Sequence, residues 1–363
     1  MAKCKVLIIG AGNIGKVIAN MLLPYYKVTL TDSNPQALEN PLAIESNAKN
    51  ITTQVLDIND LDALHKILQN HDYVINAGPY FIASHIATAA AATATHYFDL
   101  TEDVHETSLI KVLDNGKLKS ALVPQCGLAP GFISIAANNM AQQFDVVYDI
   151  KMRVGALPLH PTNKLKYSTT WSIDGLINEY FHSCNAIKDH RYVTVDALDD
   201  YETFVLDGTH YEAFNTSGGL GSMCSTWASK AKSLNYKSIR YPGHHHLVDF
   251  LINDMKLSSS DLISMFKKAV PVTKQDIVLI FIEVTGLIDS QYVSTTLVKK
   301  IYNNNFWSAI QLTTATGIAV MVEAHRQGLL PQTGFVKQED LSLEDFCKID
   351  RTKFWNTYKG YKG

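Results

Sequence analysis

An unbroken apolar run, Val6 to Ile9, stands near the start of the chain. Glycines follow at once, and then Val17, Ile18, Met21 and Leu22 recur at helical spacing. A short continuous apolar run fits a strand buried on both faces, as in a parallel sheet. A second apolar stretch, Lys27 to Thr31, ends in Asp32. The alternation then repeats. TQVLDINDLDALHKIL predicts strand, turn and helix. DYVINAGPYF predicts a strand that stops at Gly78-Pro79. HIATAAAATATHYFDLTED predicts an alanine-rich helix and a strand ending near Asp99, and SALVPQCGLAPGF one more strand with a Gly-Pro loop. Strands alternating with helices predict an α/β fold with a doubly wound parallel sheet.

After about residue 130 the pattern changes. DIKMRVGAL, HRYVTVDAL, SIRYPG and DIVLIFIEVTG read as strands of a different sheet, with helices over about 173–184 and 246–268. This predicts an α+β domain with a mixed sheet. SAIQLTTATGIAVMVEAHRQGLL has helical spacing, ends at Gly328, and is expected to return to the first domain. The expected division is 1–128, 129–306 and a returning segment 307–363.

The first strand-to-helix turn carries Gly10-Ala-Gly12-Asn-Ile-Gly15. In this context the pattern is a Rossmann-type dinucleotide fingerprint. Gly10 permits the tight turn, Gly12 lets backbone approach a pyrophosphate, and Gly15 lets helix and strand pack closely. The amides of the first helical turn, from Asn13 and Ile14 onward, would face the phosphates. Asp32 follows Gly10 at about the 20-residue spacing of an acid that accepts the adenosine ribose hydroxyls. A carboxylate there favours NAD, because the 2′-phosphate of NADP would meet a like charge. Asp57 and Ile58, at a later strand end, are placed to flank the adenine. Ligands of such sheets bind beyond the carboxyl ends of the strands. That assigns Asn76, Ala77, Gly78 and Pro79 to the coenzyme. Tyr80, Asp99 to Asp103 and Gly127 to Gly131 fall near the nicotinamide end.

Composition narrows the partners. A chain of 363 residues suits about two domains. A net charge of −3 disfavours a nucleic-acid binder, which neutralises phosphates with a basic face. No apolar run reaches the ~18 residues that span a bilayer, and no signal-peptide layout is present. The 5 cysteines include no C-x-x-C pair, which disfavours disulfides and structural zinc and points to a cytoplasmic protein. Arginine occurs only at 153, 191, 240, 326 and 351, so candidates for a bidentate carboxylate contact are few.

The stretches GAGNIG, INAGPYF, YFDLTED, CGLAPGF, RVGALP, YSTTWSIDGLINEY, YEAFNTSGGLG, IRYPGH and GLLPQTGFVKQED run in this order over nearly the whole chain. In them the sequence resembles the saccharopine dehydrogenase family, including its lysine 6-dehydrogenase and carboxynorspermidine branches. The resemblance implies a Rossmann domain with a substrate-binding and dimerisation domain, a homodimer, NAD or NADP as cofactor, and oxidation at a carbon–nitrogen bond of a lysine derivative. One stretch departs. Fungal glutamate-forming members read Gly-Leu-Asp-Pro-Gly where this chain has Gly127-Leu128-Ala129-Pro130-Gly131.

Such a reaction needs a group that takes a proton from the substrate ammonium and later helps activate water. Asp99 and His244 are the first candidates, with Glu102 and Asp103 beside Asp99. His244 to His246 also invite a metal reading, but adjacent side chains diverge and hydride transfer needs no metal. Arg240 is the candidate for a substrate carboxylate, whereas Arg153, inside a strand, reads as structural. Tyr80 and Thr101 are candidate substrate contacts at strand ends. Ser172 reads as the N-cap of an amphipathic helix, with apolar residues at 173, 176, 177, 180 and 181. A sharper expectation adds that this helix start holds a substrate carboxylate, with Trp171 as a wall. The expected function is an NAD-dependent, glutamate-forming saccharopine dehydrogenase of lysine catabolism acting on a small amino acid. Lysine 6-dehydrogenase, carboxynorspermidine dehydrogenase and a non-catalytic NAD-binding protein stay open.

Overall fold

The computed structural model describes residues 3–40 and 51–350. The chain divides into two compact units, Met1–Ile135 with Gln311–Gly363, and Ala136–Ile310. Both divisions fall a few residues later than the expected 128/129 and 306/307. The chain changes unit inside two helices, Phe132–Ala141 and Ala309–Arg326, which no loop signal marks.

The first unit runs β1 (Lys5–Ile9), α1 (Asn13–Leu22), β2 (Lys27–Asp32), β3 (Thr52–Val55), α2 (Leu61–Leu68), β4 (Tyr73–Asn76), α3 (Ala83–Thr93), β5 (His96–Asp99), α4 (Val104–Val112) and β6 (Ala121–Val123). The second begins within α5 (Phe132–Ala141). It continues with β7 (Val146–Pro158), α6 (Ile173–Phe181), β8 (Cys184–Lys188), β9 (Arg191–Val195), β10 (Glu202–Leu206), β11 (Thr209–Asn215), α7 (Met223–Trp227), β12 (Ala231–Arg240), α8 (His244–Asp249), α9 (Ser259–Ala269), β13 (Asp276–Ile288) and β14 (Gln291–Tyr302). α10 (Ala309–Arg326), β15 (Gly334–Phe335) and α11 (Leu343–Lys348) close the chain.

The first sheet has the order β15-β6-β5-β4-β1-β2-β3, and every pairing is parallel. Val6 to Ile9 and Tyr73 to Asn76 are buried throughout, as a sheet covered on both faces requires. Strand order reverses between β1 and β4. That point opens a crevice at the carboxyl ends, where the glycine turn lies. α10 packs onto this unit by a close approach. A Cβ added to Gly317 would lie 2.5 Å from the carbonyl oxygen of Gly127. The helix ends as expected at Gly328, in the left-handed region (φ 75°), whose amide donates to the His325 carbonyl at 3.0 Å.

Near its end α10 carries His325, which is 1% exposed, with its ring 4.3 Å from that of His96 and against Tyr73 and Phe98. Neither ring nitrogen has a hydrogen-bond partner. Burial, helped by His96, pushes its pKa down to about 4. The unfolded chain therefore binds a proton below its ordinary value that the folded chain refuses. Stability held above pH 6.5 is lost as pH falls toward 4. Between about pH 7 and about pH 5 this one residue should cost roughly 2 kcal/mol. A His325→Phe variant should show that much less acid sensitivity in urea unfolding at the two pH values.

The second sheet has the order β10-β11-β12-β7-β13-β14, with β8 paired to β12 and β9 to β8. β12 and β7 are parallel and the other pairs antiparallel, so the sheet is mixed. Several elements exceed the expected ones. β8, β10, β11, β14 and α7 lack a clear period. β14 is an edge strand in which exposed and half-buried residues alternate from Tyr292 to Val298, but its sequence, QYVSTTLVKKIY, does not alternate apolar with polar to match. β12 starts at Ala231, well before the SIRYPG stretch. The single helix expected over 246–268 is broken. α8 passes into a π-helical turn at Phe250–Asp254, Lys256 turns left-handed (φ 55°), and Ser258 opens α9 with a capping box to Asp261. Among the described residues no helix is long and apolar enough to cross a membrane.

Candidate functional site

In the first unit the glycine turn is built by close backbone contacts. Gly10 has φ 106°, its amide donates to the Thr31 carbonyl at 2.8 Å, and a Cβ there would meet Ala77 and Gly78 backbone at 2.8 Å. A Cβ on Gly15 would stand 1.9 Å from the Gly10 carbonyl oxygen, so helix and turn interlock only with glycine. Gly12 differs, since a Cβ there would meet nothing within 4 Å. Gly12 is the N-cap of α1, no side chain caps it, and Gly12 and Asn13 are exposed. An open cradle of amides at a helix N-terminus fits a pyrophosphate. Replacing Gly15 with alanine should force the turn apart and weaken nucleotide binding by more than about a hundredfold, measured by quenching of protein fluorescence.

Asp32 ends β2 beside this turn. Its Oδ2 accepts from the Ala11 amide at 2.8 Å and its Oδ1 from Asn34 at 2.9 Å. The Leu56 amide donates to the Asp32 carbonyl at 3.0 Å, which leads the chain past it to Asp57 and Ile58. Asp57 is exposed and accepts from the amide and side chain of Asn59, and the Ile58 carbonyl accepts from His85. On the other side of the switch point, Asn76 is buried and its Oδ1 accepts from the Gly78 amide at 3.0 Å. Ala77 and Gly78 are partly buried, Pro79 is exposed, and Tyr80 is partly buried against Phe81.

The loop after β5 corrects one expectation. Asp99 is 0% exposed, and its carboxylate accepts from Tyr97 Oη at 2.7 Å and from the amides of Gln125 at 2.8 Å and Thr101 at 3.0 Å. Burial pushes its pKa up to about 6, against those hydrogen bonds. It ties two loops together and offers no face to a substrate. Thr101 is also buried, and its hydroxyl accepts from the Asp103 amide. Asp103 caps α4 through the Glu106 amide at 2.8 Å, and Glu106 accepts from Ser84. Glu102 is the remaining acid. It is partly buried, and among the described residues its carboxylate is not seen to cap a helix or tie a loop. Burial pushes its pKa up to about 7, with Asp103 and Asp99 adding to the rise. The next loop is the Gly127–Gly131 turn, where Gly131 has φ 131° and a Cβ would strike Gly127.

In the second unit a buried polar cluster joins α6, β12 and α8. His244 is 0% exposed, with Nδ1 3.0 Å from the Leu165 carbonyl and Nε2 3.0 Å from Tyr180 Oη. A carbonyl only accepts, so Nδ1 carries the proton and Nε2 accepts from Tyr180. Burial and the Arg240 charge push the His244 pKa down to about 3. Both ring nitrogens of the expected catalytic His244 are thus engaged within the fold, with Leu165 and Tyr180. Arg240, 4% exposed, donates from Nε to Tyr180 Oη at 3.2 Å and from Nη1 to the Ile239 carbonyl at 2.8 Å. Its guanidinium lies 5.3 Å from the Tyr167 ring centroid. Among the described residues no direct ion pair to it is seen, the buried Glu179 acts on its charge through space, and Nη2 has no hydrogen bond among those seen. Arg153 is structural, as expected, forked onto Glu202 and bound to Asn235.

Ser172 is the N-cap of α6, accepting from the Gly175 amide at 3.1 Å, and Trp171 packs partly buried on the core of α6, α8 and α9. Asp174 already places a carboxylate in the first turn and pairs with Lys267 at 2.9 Å. The structure shows the capped helix that the stretch predicts. Tyr180 and Glu212 were missed. Tyr180 fell on the apolar face of its helix, and Glu212 lies mid-strand with no motif around it. Among the described residues no group of three or more His, Cys, Asp or Glu could hold a metal ion.

Comparison with known proteins follows the same division. Residues 6–121 match the saccharopine dehydrogenase NADP binding domain, and residues 127–349 match the saccharopine dehydrogenase C-terminal domain. Saccharopine dehydrogenase [NADP(+), L-glutamate-forming] of Saccharomyces cerevisiae is 24% identical over 73% of this chain and 61% of its own length. The chain thus spans less than two thirds of that relative. The structure of the apo saccharopine dehydrogenase (L-Glu forming) from Saccharomyces cerevisiae matches with a TM-score of 0.76 at 16% identity, covering 96% of both chains. DAP dehydrogenase of C. glutamicum in complex with DAP matches at TM-score 0.51 and 10% identity, over 97% of this chain and 98% of that one. These two likenesses concern the fold. The two family matches together cover most of the sequence, and the chain belongs to the saccharopine dehydrogenase family.

Proposed function

We propose that this protein oxidises the carbon–nitrogen bond of a lysine-derived amino acid with NAD, with saccharopine as first substrate and aminoadipate semialdehyde and glutamate as products. The bound nicotinamide would supply the hydride acceptor. The observation that carries the proposal is Glu102, the one acid after β5 whose carboxylate serves no neighbouring loop or helix cap, at the carboxyl edge of a sheet with an open glycine cradle. Glu102 would take the proton from the substrate ammonium and return it during hydrolysis of the imine. Arg240 would hold a substrate carboxylate at its open edge. Asp32 favours NAD, and no lysine or arginine stands between Ser33 and Asn40 to meet a 2′-phosphate. The matched domain and the yeast relative are both named for NADP, so Asp32→Ala should relax the preference toward NADP. The proposed enzyme is a cytoplasmic homodimer joined through its second sheet.

A second reading, lysine 6-dehydrogenase, is favoured by a specific observation. Arg153 is taken by Glu202 and Arg326 by Glu323, Arg191 is exposed on β9, and Arg351 lies outside the described residues. Arg240 alone offers a buried open edge, which suits a substrate with one carboxylate better than saccharopine with several. Ala129 likewise stands where glutamate-forming relatives carry an acid. The two readings separate by product. Incubation with NAD and saccharopine should release glutamate; ammonia from L-lysine, with no glutamate from saccharopine, would move the assignment to the second reading.

A further inference from the structure

Glu212 and Arg240 are direct cross-strand partners in β11 and β12. Opposite residues of an antiparallel pair project from the same face, so an ion pair between them is the simple expectation. It is absent. Glu212 is 1% exposed, and its Oε2 accepts from the Gly243 amide at 2.7 Å and its Oε1 from the His245 amide at 2.6 Å, with Tyr201 Oη at 3.4 Å from Oε2. The two amides flank His244. Gly243 itself has φ 100°, a conformation open to glycine, and this lets the chain double back over the carboxylate.

We infer that Glu212 is a positioning residue for the amino-acid contact. By clamping the Gly243–His245 turn it holds His244 against Tyr180, and through Tyr180 it fixes the Arg240 guanidinium with one edge free. The inference rests on the proposed role of Arg240. Its logic is a chain of single links. Glu212 fixes the turn, and His244 Nε2 accepts the hydrogen bond of the Tyr180 hydroxyl. The oxygen lone pairs of Tyr180 then face Arg240 Nε. A carboxylate spent on amides also leaves the guanidinium without a direct ion pair to its cross-strand neighbour, Glu179 acting on it only through its field. Had Glu212 paired with Arg240, the turn would lose its clamp and the guanidinium its free edge.

Glutamine at 212 keeps the shape but sets an NH2 group against one of the two amides. For Glu212→Gln the expected result is a KM for the amino-acid substrate raised between about ten- and a hundredfold, with kcat and the KM for NAD changed by less than about threefold. Tyr180→Phe, a milder change that cuts the chain at its middle link, should show the same split and covers the case in which the Glu212 variant folds poorly. In an Arg240→Met background, Glu212→Gln should raise KM no further. A lowered melting temperature with an unchanged KM in both variants would make Glu212 a stability residue only and overturn the inference while leaving Arg240 in place. An unchanged KM in Arg240→Met itself would overturn the reading of Arg240, and the inference with it.

Discussion

Glu102→Gln is expected to lower kcat by between about a hundredfold and ten-thousandfold while leaving nucleotide binding intact. Glutamine matches glutamate in shape but accepts no proton. The other acids nearby are committed: Asp99 to Tyr97, Gln125 and Thr101, Asp103 to the start of α4, and Glu106 to Ser84. The pH profile gives the sharper signature. A general base acts ionised, and burial has pushed Glu102 up to about 7. In the native enzyme kcat/KM should therefore rise with pH through about 7 and level off above it, and the glutamine variant should lose that limb. Stability should move the other way. A folded pKa above the unfolded value means that stability is present at low pH and lost as pH rises through about 7. The glutamine variant should thus be at least as stable as the native protein at alkaline pH. Lost turnover with retained or improved stability separates a working acid–base group from a structural one.

Arg240→Met is expected to raise the KM for the amino-acid substrate by about a hundredfold or more, with NAD binding unchanged. A buried guanidinium meeting a carboxylate makes charge-assisted hydrogen bonds of about 1.5–3 kcal/mol each, and loss of one or two of them sets that scale. Stability should also fall, because methionine gives up the hydrogen bonds to Tyr180 and the Ile239 carbonyl and leaves the buried Glu179 without the guanidinium charge that acts on it. Lysine should not restore binding, since a point charge cannot reproduce the planar fork that Tyr180 and the Ile239 carbonyl orient. Steady-state kinetics of both variants, with urea unfolding alongside, check these points.

The first unit was legible because its code is local. Val6 to Ile9, the three glycines and Asp32 lie within one strand–helix–strand segment, and burial on both faces leaves a continuous apolar run. The second unit hid more. Its exposed edge strands carry weak periodicity, and the break between α8 and α9 depends on Lys256 in the left-handed region and on a capping box. The choice among acids was also not local. Asp99 and Glu102 stand three positions apart in one polar string, and which of them is locked away is decided by Tyr97 and by Gln125 in the loop after the next strand. His244 looked like a turn residue after Pro-Gly. The rings of Tyr167, Tyr180 and Phe214, brought from other elements, bury it. Ser172 is the converse case, where the plain capping signal accounts for what the structure shows.

The most direct test is the absorbance of reduced nicotinamide on mixing the protein with NAD and either saccharopine or L-lysine, at alkaline pH. Steady reduction with one of these amines, abolished in Glu102→Gln and weakened through KM in Arg240→Met, is the expected result. Tight binding of NAD with no reduction by either amine would contradict the assignment of amine oxidation to this site.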